Sequence, residues 1–108
     1  QQYVQVVDYR CRKGTGDEFM RITTPLREFV RKFDGEVTFE VLRGIGEASD
    51  TFKVIERHVS RGAMRSLHMY GPFAKFKQLL AAADIVVEQS ATSWRGERDP
   101  PAEKESEG

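Results

Sequence analysis

Residues 35–76, GEVTFEVLRGIGEASDTFKVIERHVSRGAMRSLHMYGPFAKF, decide the fold. Val37, Phe39 and Val41 alternate with Thr38 and Glu40. Further on, Phe52, Val54, Glu56 and His58 alternate with Lys53, Ile55, Arg57 and Val59. Period-two alternation of β-branched and aromatic residues predicts two strands with unlike faces. Arg43 to Asp50, with its glycines and polar cluster, predicts the hairpin loop between them. Ser60 stands where a helix N-cap belongs, and Ala63, Met64, Leu67 and His68 fall on one side of the helix that follows. That helix must cross the hairpin and bury its stripe against it. Tyr70-Gly71-Pro72 breaks or bends it, and Phe73, Phe76, Leu79 and Leu80 carry the stripe onward.

Working outward, Tyr3 to Lys13 has strand composition, with Tyr3, Val7, Tyr9 and Cys11 on one face. Gly14-Thr15-Gly16 ends it, and Asp17 takes the N-cap position of a first helix expected from Asp17 to Phe33. Phe19, Met20, Ile22, Leu26, Phe29, Val30 and Phe33 form its apolar stripe, Pro25 predicts a kink or split near Thr23-Thr24, and Asp34-Gly35 predicts the stop. Ile85-Val86-Val87 predicts a last strand extending through Gln89. From Arg95 onward, RGERDPPAEKESEG holds a single apolar residue, Ala102, with three positive and five negative charges. Such a segment buries too little surface to offset the entropy of ordering. The expected organisation is therefore one domain over residues 1–94 and a disordered acidic tail over 95–108. The order β-α-β-β-α-β predicts an α+β, ferredoxin-like sandwich with helices on one sheet face. The bare face carries apolar residues, so a homodimer with two sheets face to face is expected.

Composition narrows the classes. The chain has 108 residues, with 17 basic and 17 acidic side chains. This balance argues against nucleic acid, whose binding normally demands a basic excess. No apolar run approaches the roughly 20 residues of a membrane helix, and no signal-peptide pattern opens the chain. The first residue is glutamine, which leaves room for upstream processing. The single cysteine, Cys11, excludes an intrachain disulfide and favours the cytoplasm.

Four places carry a resemblance to a known family. They are Arg12-Lys13-Gly14 before an acidic helix start; Thr24-Pro25-Leu26; Phe33-Asp34-Gly35 leading into Thr38-Phe39-Glu40-Val41; and Phe52-Lys53-Val54-Ile55-Glu56-Arg57 leading through Ala63-Met64 to Gly71-Pro72-Phe73. In this order, from Val6 to Val87, the chain resembles the antibiotic biosynthesis monooxygenase family of dimeric α+β barrels. The resemblance implies a dimer with a pocket in each subunit between sheet and helices. It also implies oxidation of an aromatic, polyketide or quinol-like compound by O2 without bound cofactor. Haem-degrading relatives use an asparagine, a tryptophan and a histidine where this chain has Val7, Leu67 and Lys77, which disfavours haem oxygenation. Many relatives place tryptophan after the Glu-Arg pair; here it is His58.

His58 shares a strand face with Glu56, and an imidazole there can take a phenolic proton so that the substrate anion reduces O2. A partly exposed strand-end histidine is the plainer alternative. His68, on the helix side toward the sheet, is the second candidate base or else a packing histidine. Glu56 orients a histidine or makes a structural ion pair. The two histidines and Glu56 lack zinc-ligand spacing, so no metal is expected. Tyr9, Tyr70 and Trp94, with Phe39, Met64, Leu67 and Phe73, are the expected substrate-lining residues; core or interface packing is their plain alternative. Cys11 has no His/Asn partner motif, and Gly44-Ile45-Gly46 is not a phosphate loop. Two alternatives to the monooxygenase stand: a non-catalytic ligand-binding or accessory dimer, and an aromatic cyclase or isomerase needing acid–base groups but no oxygen.

Overall fold

A computed structural model describes residues 2–33 and 35–97 of the chain. Strands β1 (Tyr3–Cys11), β2 (Val37–Arg43), β3 (Thr51–His58) and β4 (Val86–Arg95) form one antiparallel sheet in the order β2-β3-β1-β4. Helices α1 (Gly16–Val30), α2 (Arg61–His68) and α3 (Gly71–Ala83) complete the ferredoxin-like α+β sandwich. Asp34 of the expected helix stop, and residues 98–108 of the expected tail, lie outside the described residues. No described helix is long and apolar enough to cross a membrane.

The register makes the core. Val7 stands opposite Val54 and Tyr9 opposite Phe52, while Val41 on β2 also faces Val54. Directly opposed residues share a face, so Tyr3, Gln5, Val7, Tyr9 and Cys11 point the same way as Phe52, Val54, Glu56 and His58. Phe19 of α1 is fully buried on this face, its ring 4.2 Å from that of Phe52 and 5.0 Å from that of Tyr9. Ile22, Leu26 and Val30 continue the α1 stripe, and Phe73, Phe76 and Leu80 supply that of α3. Each such burial contributes about 1.5–3 kcal/mol before entropy is counted.

Three boundaries differ from the sequence expectation. First, α1 opens at Gly16, after Thr15, and Asp17 does not cap it. The carboxylate of Asp50 accepts from the Gly14 and Gly16 amides, both at 2.8 Å, so the anion that holds this helix start comes from the hairpin loop. Asp17 sits in the first turn and pairs with Arg43 at 2.8 Å. Second, α1 runs unbroken through Pro25 and passes into a 3-10 turn at Arg31–Phe33. Thr23 and Thr24 donate their hydroxyls to the Met20 carbonyl, at 2.8 and 3.0 Å, in the turn that the proline disturbs. Third, β4 reaches Arg95 instead of Gln89. Its run Ser90–Ser93 is held by ladder pairing with Asp8 to Gln5 of β1, an interaction side-chain hydrophobicity does not reveal. The break at Tyr70 divides the second helix into α2 and α3, and Ser60 Oγ caps α2 by accepting from the Ala63 amide at 3.0 Å.

The opposite sheet face is bare of helices. Val4, Val6, Leu42 and Ile55 point that way, beside Lys53–Asp8 and Arg10–Glu88 ion pairs at 2.7 and 3.0 Å.

Candidate active site

Strand alternation turns Glu56 and His58 toward the helices, where they are 5% and 3% exposed. The short helix α2 then folds back over β3 and lowers His68 onto the same carboxylate. His58 Nε2 and His68 Nε2 both approach Glu56 Oε1, at 3.0 and 2.7 Å. Burial pushes the Glu56 carboxyl up, but the hydrogen bonds and positive character of the two imidazoles outweigh it, leaving the group below the usual carboxylate value. Glu56 is thus an ionised acceptor in the core. The imidazole planes lie at 84°, centroids 6.1 Å apart, and the Phe73 ring packs 4.5 Å from that of His68. Tyr9 lies on the same sheet face. Burial, then the charge of Glu56, then Cys11, raise its phenol to about 12, so it can donate a proton in a hydrogen bond but cannot serve as a base.

A cleft of about 200 Å³ opens beside His58, between β2, β3 and α2. Leu67 and Tyr70 line it, as do Phe33, Val37 and Ala63. The half-exposed ring of Tyr70 leans on Phe29 and Phe33, 5.5 and 5.7 Å away. Of the other expected lining residues, Phe39 is half-buried directly across the ladder from Glu56, and Met64 and Phe73 are buried. Trp94 stands apart. It pairs with Val4, on the face away from Glu56, and its indole N–H donates to Thr92 Oγ1 at 2.9 Å. Val37 was not among the expected residues; the register that sets it opposite His58 is the signal that locates it. His58 is buried and is no solvated strand end, and Glu56, His58 and His68, whose sequence spacing argues against a ligand set, have donor atoms within 4.8 Å of one another.

A larger trough, about 510 Å³, lies at one end of the sheet among Asp8, Arg10, Leu42, Lys53 and Ser90. Its charged side chains include both members of the Lys53–Asp8 pair, and it holds neither histidine. Of the two, the smaller cleft is the one that a histidine borders.

No protein-family model matches the chain, and no curated protein is similar to it in sequence. Solved structures share the fold. A protein from Nitrosomonas europaea, provisionally named an antibiotic biosynthesis monooxygenase, superposes with a TM-score of 0.78 at 17% identity over 93% of this chain and 92% of that one. A protein from Caulobacter crescentus with the same provisional name gives 0.77 at 13% identity, over 90% and 91%. A conserved protein from Methanosarcina mazei gives 0.76 at 18%, over 89% and 93%. The likeness suggested by the sequence motifs is thus met in the fold, across nearly the whole length of these proteins.

Proposed function

We propose that this protein is a small monooxygenase that acts on a quinol-like aromatic compound with O2 and without a bound cofactor, as one half of a homodimer. The observation that carries the reading is the buried Glu56 carboxylate gripped by two imidazoles, one of which, His58, borders a cleft. An imidazole braced by an ionised carboxylate is a competent acceptor for a phenolic proton. Proton removal leaves an electron-rich anion that reduces O2. For a quinol, a ring C–H becomes C–OH and the ring leaves as a hydroxyquinone. The substrate supplies four electrons, one oxygen atom enters the product, and the other leaves as water.

Cleft size selects within the substrate class. A cavity of about 150 Å³ holds a benzene, whereas ligand pockets for larger molecules run from about 300 Å³ upward. At about 200 Å³ the cleft suits a single ring better than a fused tricycle. The same modest size favours one second reading, a dimer that binds a small aromatic compound without turning it over.

Oxygen uptake with single-ring hydroquinones, against anthrones as the bulky comparison, tests the proposal. The expected result is consumption with the former and a loss of at least about 100-fold in Glu56→Gln and His58→Ala, the scale of one acid–base group. Saturable quinol binding with no oxygen consumed would replace the monooxygenase with the binding protein.

A further inference from the structure

The three groups that hold a proton in the proposed chemistry are also a set of metal donors. We propose that Glu56 Oε1, His58 Nε2 and His68 Nε2 bind one divalent first-row transition-metal ion. The inference goes beyond the monooxygenase reading and does not depend on it, because it rests on the geometry of donor atoms alone. Metal–nitrogen and metal–oxygen bonds of about 2.0–2.2 Å set adjacent ligands about 3–3.5 Å apart, depending on octahedral or tetrahedral geometry. The two carboxylate–imidazole hydrogen bonds, 3.0 and 2.7 Å, need to open by less than about 1 Å to reach that spacing, and all three donors lie within 4.8 Å of one another.

The ring planes meet near a right angle, 84°, so the two imidazoles reach the shared oxygen without stacking on each other. Two imidazoles and one carboxylate suit zinc, cobalt or ferrous iron, while magnesium and calcium prefer all-oxygen sets. The binding step is balanced. An imidazole that gives Nε2 to a metal carries its ring proton on Nδ1, so a neutral histidine exchanges tautomers without losing a proton. Packing fixes two of the ligands: His58 and Glu56 stand two apart on the buried face of β3. His68, with about a quarter of its side chain exposed, is the ligand with room to adjust and the side from which an ion enters. An ion held here takes the Glu56 oxygen and both Nε2 atoms out of the hydrogen bonds that brace the His58 imidazole, so metal binding competes with the proposed proton transfer.

Untagged protein stripped with chelator and titrated with Co2+ tests the site, followed by Zn2+ competition. The expected result is one Co2+ per chain, with visible ligand-field bands that Zn2+ abolishes. Affinity should fall at least tenfold in His68→Ala and in Glu56→Gln, since loss of a direct ligand exceeds the about 10–100-fold effect of outer-shell changes. Should either variant unfold, nitrogen NMR of the wild-type imidazoles decides: Zn2+ must shift Nε2 of both His58 and His68. Unmoved resonances, absent ligand-field bands, or undiminished binding in a folded variant overturns the site. Oxygen uptake by the stripped protein bears only on the monooxygenase, so the two proposals fail separately.

Discussion

At the scale of single residues, carboxylates organise this molecule at two points. Glu56 is tolerated in the core because both imidazoles reach one of its oxygens; an unpaired carboxylate there would cost far more than it returned. Asp50 ties two segments, the β1–α1 turn and the hairpin loop. The amides of Gly14 and Gly16, with Arg43 and Lys13 nearby, hold its carboxyl below the ordinary value. A depressed carboxylate stabilises the fold above its unfolded pKa, about 3.9, and that contribution is lost as pH falls through the lower folded value. Asp50→Asn removes the charge at every pH. Its melting temperature should therefore lie below that of wild type by a constant gap near neutrality, with the gap narrowing below about pH 4. Thermal scans from pH 7 to pH 3 check this; a gap that widens in acid refutes it.

Among the elements, α2 is the smallest with a task. It spans eight residues, too few to persist alone, and it alone brings His68 to Glu56. The Ser60 hydroxyl satisfies one of its unpaired amides. Replacing Ser60 with Ala should cost about 1 kcal/mol in urea unfolding, within the range of N-cap deletions. Because α2 is the weak element, amide exchange of Ala63 to His68 should quicken more than that of β1 or β3. Equal acceleration everywhere would mean that α2 does not open separately. The strand pattern of β3 was readable in sequence because Phe52, Val54, Glu56 and His58 alternate cleanly with outward-facing Lys53 and Arg57. The length of β4 was not. Ser90 to Ser93 show no apolar alternation, and only pairing with β1 makes them strand.

For the whole molecule, the sheet face bare of helices is where the proposed dimer forms. Val6, Leu42 and Ile55 give it an apolar component that a second copy would cover, and the proposed homodimer is built on it. Ile55 is half-buried at the centre of that face, on β3 between β2 and β1. Its replacement by Asp puts a charge in the proposed interface without disturbing the helix-covered core. Light scattering should give a dimer for wild type and a monomer for Ile55→Asp. Wild type that stays monomeric at micromolar concentration removes the dimer.

Alternation and helical periodicity in the sequence determined the element order, the alternating faces of β1, β2 and β3, and the placing of Glu56 and His58 on one strand face, because local side-chain periodicity obeys the geometry of one strand or helix. That this face turns inward was decided by the packing of the helices on it. The tertiary structure decided what depends on chain segments meeting. Asp50 holds the start of α1 in place of Asp17, Trp94 leaves the site for the opposite face, and His68 closes on Glu56 from twelve residues away. Those contacts follow from how α2 folds over β3 and how β4 registers on β1, and no local spacing encodes them.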